Sequence, residues 1–303
     1  MNYLFRIIIF FGLILGFNPA AFAETGKSVL VSQDFTEILT KSLTEGTGIK
    51  VVRAVPANYS LGSQTSYIKK HWQNFANLCL QARAVISITG VWPEDPLYPR
   101  ARRANIEIIP VDITSPLDQG RAGLPLLDNP QTGKILPFVW YSPGHAARMA
   151  DIAAADLARI FPANAENIYA NRDQLKRELF KLRTKYELAF GSLDYFEAVS
   201  LTADFYYLTN EFGIGMVKFF LKPEHKWQKD DLQQLQDAIT SSGVKCVIAK
   251  WEPAAKIKTA IQEAGAKVVI LKNFKMMPDA DPAAQLLNFY KENLAALLAD
   301  LSD

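Results

Sequence analysis

The chain has 303 residues, 49% of them hydrophobic and 21% charged, with 33 basic against 31 acidic side chains and a formal net charge of +2. That length exceeds one ordinary core and predicts about two domains, while the apolar and aromatic content excludes a disordered or collagen-like chain. The even charge balance gives no pull toward nucleic acid, and two cysteines exclude a disulfide-rich scaffold.

Residues 1–23 read as a secretory signal peptide. Arg6 precedes the apolar run Ile7–Phe17, and Ala21-Phe22-Ala23 supplies a small-residue cleavage site before Glu24. The run is short for a bilayer span, so an uncleaved anchor is the lesser alternative. An exported, periplasmic chain beginning near Glu24 is expected. In that oxidising setting Cys79, in a helical pattern, and Cys246, in a buried-strand pattern, are expected as two separately buried thiols, without the spacing of a redox or zinc motif.

Short apolar strands alternate with helical stretches from there on. Val29–Val31, Ile49–Ala54, Ala84–Ile88 and Ile106–Val111 are strand candidates, separated by helices at Phe35–Leu43, Ser66–Gln81 and Pro93–Ala104. Residues 113–137 contain four prolines and three glycines and predict an irregular connection. Pro143–Ile160 predicts a helix with proline in its first turn. The stretch from about Ala163 to Phe190 carries an apolar stripe of Ile168, Leu175, Leu179, Leu182, Tyr186 and Phe190. A helix of that extent is about 40 Å long, enough to brace two lobes. Strand candidates then resume at Phe196–Leu201, Gly215–Phe220, Val244–Ala249 and Lys267–Leu271. Helices are expected at Leu232–Ser241, Ala254–Ala264 and Ala283–Leu301. The pattern implies α/β architecture: two lobes of mainly parallel four-stranded sheets with helices on both faces, joined by one long bracing helix. The expected division is a first lobe over 24–135, a connecting segment with the long helix over 136–195, and a second lobe over 196–303.

No hydrolase elbow, Walker loop, zinc-protease helix or dinucleotide fingerprint is present. His71, His145 and His225 are scattered, with surface, helix-cap and loop settings respectively, and no nucleophile–base pair is visible, so an enzyme is not expected.

The order of elements brings a family into view. Lys27–Leu39 resembles the opening strand and helix of the substrate-binding proteins of zinc- and manganese-importing ABC transporters. Ala82–Gly90 with Val91-Trp92 resembles that family's "ADLVFxNG…E-W" stretch, and Pro137–Pro143 its "NPHxWLDP". Ser200–Ile214 resembles "SHxAFxYFxxxYGL", Val244–Pro253 resembles "VKVIFxEPQ", and Val268–Lys272 resembles the strand ending in "LD". The resemblance implies a periplasmic receptor, an ABC permease in the inner membrane as its partner, and a metal held by two histidines, a histidine or glutamate, and an aspartate or glutamate.

Fitting those motifs puts Tyr59, Phe138, Thr202 and Lys272 at the four ligand positions. A phenyl ring offers no lone pair, a tyrosine must lose a proton of pKa near 10, and zinc selects imidazole, thiolate or carboxylate. An ammonium about 4 Å from a divalent ion costs roughly 2–8 kcal/mol at intermediate dielectric. The usual four-ligand site, and a zinc or manganese cargo held by it, is therefore not expected. Tyr59, Phe138, Trp140, Thr202 and Lys272, with Tyr141 and Tyr206 near them, instead predict a cleft for an organic molecule or a metal chelate, Lys272 pairing with an anionic group on it. Two alternatives stand beside this. One is a zinc or manganese receptor drawing on Asp204, Glu252 or His145, although Asp204 also reads as the cap of a helix beginning there. The other is a non-transport interaction module whose interlobe space is closed by Phe138 and Trp140. Trp92 and Trp251 read as packing residues, and a monomer is expected.

Overall fold

The computed structural model describes residues 28–118, 122–193, 196–277 and 279–301. The expected signal peptide and its cleavage site lie outside them. Among the described residues no helix is long and apolar enough to cross a membrane.

The first lobe runs β1 (Ser28–Val31), α1 (Asp34–Thr44), β2 (Lys50–Arg53), α2 (Gln64–Lys70), α3 (Trp72–Gln81), β3 (Ala82–Ser87), α4 (Leu97–Ala104) and β4 (Ile109–Asp112). Two helices, α5 (Pro143–Ile160) and α6 (Ala165–Gly191), lead to the second lobe. That lobe runs β5 (Glu197–Ser200), α7 (Tyr206–Glu211), β6 (Gly215–Phe219), α8 (Lys229–Ser242), β7 (Cys246–Ala249), α9 (Ala255–Glu263), β8 (Lys267–Ile270) and α10 (Pro282–Leu301). The sheets are β2-β1-β3-β4 and β6-β5-β7-β8, with every pairing parallel.

The central strands are apolar in their middles, as at Val29, Leu30 and Val31 of β1 and Ala198 and Val199 of β5, because both sheet faces are covered. In β1, Val29 and Val31 face one core while Leu30 faces another, built with Ile68 and Phe75 of α2 and α3 and Leu97 of α4. In the second sheet Val199 and Val247 pack against Leu235, Ile239, Ile257 and Ile261 of α8 and α9. The opposite faces of the two sheets do not form two cores. Val29, Val31, Ala198 and Ile248 belong to one continuous apolar cluster with α1, α5, α6 and α10.

Helix α6 is the brace. Its Ile168, Leu175, Leu179, Tyr186 and Phe190 are buried. Toward the first lobe, Asn171 Nδ2 donates to the carbonyls of Leu43 at 3.1 Å and Glu45 at 2.9 Å, satisfying the free end of α1. Toward the second, Tyr186 donates to the Lys291 carbonyl of α10 at 3.1 Å. Arg183 Nε lies 2.9 Å from Glu211 of α7. Glu211 also accepts from Ser142 Oγ and from the Gly144 amide, at 3.0 Å, in the first turn of α5. A Cβ on Gly144 would stand 2.7 Å from that carboxylate, so the close approach needs glycine.

Three expectations are corrected. The helix expected over Ser66–Gln81 is two helices, broken at His71 (φ −113°, ψ 33°), whose ring packs 4.5 Å from Tyr67. The helix expected from Pro93 starts at Leu97, because Asp95 turns its carboxylate onto the Ile88 and Leu97 amides and holds the preceding residues in a turn. Asp204 does not cap α7, which begins at Tyr206 without a side-chain cap.

The candidate cleft

Strand order reverses between β1 and β3 and again between β5 and β7, and in open α/β sheets ligand crevices form beyond the carboxyl ends of the strands at such points. Two adjoining cavities lie there. An interlobe cavity of about 430 Å³ is walled by Gln33, Asp34 and Phe35 after β1, Arg53 ending β2, Tyr59, Phe138, Trp140 and Tyr141, and by Asn273 and Phe274 from the second lobe. A side chamber of about 650 Å³ lies between residues 129–138 and the ends of β5, β6 and β7. Phe138, Asp204 and Lys250 line both.

The interlobe cavity is aromatic and internally neutralised. Phe35 stacks on Trp140 at 6.0 Å, and Phe138 meets Trp140 edge-on at 5.6 Å. The Tyr141 hydroxyl donates to Asn273 Oδ1 at 3.1 Å, and burial holds that phenol protonated well above its usual range. Arg53 is ion-paired to Asp34, and its Nε lies 2.7 Å from Glu37. Asp34 in turn accepts from the Met276 amide of the second lobe at 3.2 Å. Burial raises the Asp34 pKa, an effect the Arg53 guanidinium partly offsets. Lys250 pairs with Asp204 at 2.9 Å.

The expected site residues fall as follows. Tyr59, Phe138 and Trp140 line the interlobe cavity and Thr202 the side chamber. Tyr59 packs 4.6 Å from Tyr67. Tyr206 lines neither cavity and meets Phe219 edge-on at 5.0 Å. Lys272 is misplaced by the sequence reading: its ammonium is 68% exposed and pairs with Glu292 of α10 at 2.8 Å, while its neighbour Asn273 takes the place in the wall. Of the alternative metal ligands, only Asp204 faces the cavities. Glu252 pairs with Lys258. His145 packs on the Tyr207 ring at 5.2 Å, and burial lowers its pKa. Trp251, read from sequence as a packing residue, is 54% exposed and lines the side chamber. Reasoning from the family motifs missed Asp34, Arg53, Lys250 and Trp251. The signal that finds the last two is their place directly after the buried strand Cys246–Ala249.

Among the described residues no group of three or more histidines, cysteines, aspartates or glutamates could hold a metal ion.

Two parallel α/β lobes on a shared core, with a cleft at the strand ends, define a solute-binding protein. The sequence model for the periplasmic component A of the zinc-uptake complex, ZnuA, matches residues 102–299, and the chain belongs to that family. No curated protein matches it. Among solved structures, an FpvC mutant from Pseudomonas aeruginosa superposes with a TM-score of 0.72 at 16% identity, over 91% of this chain and 99% of that one. A periplasmic metal-binding protein from Candidatus Liberibacter asiaticus gives 0.70 at 14%, over 90% and 99%. ZnuA itself gives 0.65 at 19%, over 90% and 99%. FpvC is known in complex with Ni2+ and with Mn2+. At these identities the likeness shows the fold.

Proposed function

We propose that this chain is an exported receptor of a metal-type ABC importer, delivering its cargo to an inner-membrane permease, and that its cleft takes an organic molecule or a metal chelate instead of a bare ion. The observation that carries this is the donor set. Phe138 and Thr202 stand where the family resemblance calls for ligands, and the carboxylates of the interlobe cavity, Asp34 and Asp204, are each engaged by a cation. In the interlobe cavity a bare divalent ion would have to displace Arg53 or Lys250 and would still lack imidazole and thiolate. Aromatic walls with a few polar groups, and volumes within the range of small-molecule pockets, suit an organic cargo.

A zinc or manganese cargo remains the alternative favoured by the metal-bound relatives. Of the three residues considered for it only Asp204 lines the cavities, since Glu252 pairs with Lys258 and His145 packs on Tyr207. The interaction-module reading required a closed interlobe space, and the two open cavities speak against it.

Native mass spectrometry of the untagged protein from its own periplasm, before and after denaturation, tests the proposal. The expected result is an organic-sized mass excess and no heat on calorimetric titration with Zn2+ or Mn2+. A mass excess of one transition-metal ion, retained through dialysis, refutes it.

A further inference from the structure

We propose that the side chamber is the part of the cleft built for a flat aromatic ring bearing a carboxylate, with Trp251 as its stacking platform. This rests on the reading that the cleft takes an organic ligand, and adds where its ring and its charge sit.

An indole that is more than half exposed at the mouth of a cavity is unusual, since tryptophan is normally well buried. This one is also held in place. Its Nε1–H donates to Glu224 Oε1 at 2.7 Å, and the Lys250 ammonium lies 4.8 Å from the ring centroid. A fixed ring with an exposed surface loses little rotational freedom when a second ring stacks on it. Phe220, itself packed on the buried Trp227 at 5.8 Å, and Phe138 supply further apolar wall.

The polar groups favour an anion. Glu224, the carboxylate beside Trp251, has both oxygens occupied, one by the indole and the other by the Ala254 amide at 2.8 Å. It lines the chamber, but each of its oxygens already holds a donor of the wall. Lys250 gives one hydrogen bond to Asp204, and Lys222 one to Asp231 at 2.7 Å. An ammonium has three N–H donors, so each lysine keeps capacity for a ligand carboxylate. Lys250 lines both cavities, so an anion held there is also within the interlobe cavity's wall.

The test is titration of the 15N-labelled protein with 2-naphthoate, followed on its tryptophan indole N–H signals, that of Trp251 being assigned with Trp251→Phe. Neutral 2-naphthamide and the non-aromatic cyclohexanecarboxylate serve as comparison probes. The Trp251 signal should move first and saturate. Trp251→Ala should weaken 2-naphthoate about tenfold. Lys250→Met should weaken 2-naphthoate about tenfold but leave 2-naphthamide unchanged. Unshifted remaining indole signals in each variant show that its fold is kept. Movement of Trp140 with Trp251 silent would place the ring in the interlobe cavity, overturning this site while leaving an organic cargo intact. Equal binding of all three probes, or no binding at millimolar concentration, overturns the aromatic-anion assignment. The receptor reading fails separately, on the mass of the native cargo.

Discussion

Glu211 shows how much one carboxylate can organise. It is largely buried, and it joins α5 and α6 through Ser142, Gly144 and Arg183. Glu211→Gln should cost about 2–3 kcal/mol in denaturant titration, because the amide cannot accept from all three donors. Asp95 makes a pH-dependent contribution. Burial pushes its pKa to about 6 from an ordinary 3.8. The folded state thus binds the Asp95 proton more tightly than the unfolded state does. The resulting stability is fully present below pH 3.8 and is lost as the pH rises to about 6, a change of about 3 kcal/mol. Asp95→Asn should flatten the stability profile of the protein across that window, and an unchanged slope would show the proton is held elsewhere. At this scale the sequence was only partly legible. Phe138, Trp140 and Thr202 could be placed on the cavity walls because motif order fixes which element each adjoins, the start of α5 for the first two and the end of β5 for the third. Lys272 could not: a one-residue difference at the end of a strand decides between the cleft and the surface, where Glu292 takes the ammonium. Trp251 was misread because burial statistics favour packing over exposure for tryptophan.

Among elements, α6 was the most legible, because a long apolar stripe at helical spacing has no competing reading. Leu179→Ala, in a side chain that is 1% exposed, should destabilise by about 2–5 kcal/mol. Asn171→Ala should cost about 1–2 kcal/mol and loosen the end of α1, visible as faster amide exchange near Leu43, since it removes the donor to two α1-terminal carbonyls. Exchange near Leu43 that stays unchanged would mean water replaces the asparagine without loss. The break at His71 was not legible. Ile68 and Trp72, on either side of it, fit one helical stripe, and the packing of the His71 ring on Tyr67 that accompanies the break has no sequence signal.

At the scale of the molecule the two lobes share a core, and α10 lies among α1, α6 and β8. That arrangement predicts small rocking rather than wide closure. Spin labels on Glu107→Cys in the first lobe and Gln262→Cys in the second should report the same distance, within the distribution width, with and without cargo. A large shift would mean α6 does not act as a brace. Thermal unfolding should likewise be a single transition, with tryptophan fluorescence and far-ultraviolet dichroism coincident, because neither lobe can detach without opening the common cluster. The alternation of strand and helix made the two sheets legible. It could not reveal that they share one interior, because both faces of each sheet are apolar and nothing local distinguishes the face turned to the other lobe.

The two thiols give this protein a pair of internal clocks. Cys79 and Cys246 are free and fully buried, Cys79 under the first lobe's own helices and Cys246 in the cluster common to both lobes, and burial lifts the pKa of each to about 12. Thiolate is the reacting form, so an alkylating reagent can reach either only during an opening event. Mass-resolved pulse labelling, with each cysteine's peptide read separately, therefore times the opening of the first lobe's outer core and of the common cluster in an unmodified chain. Matching rates would show the two breathing together, and an earlier Cys79 signal would identify the first lobe's outer layer as the part that lets go.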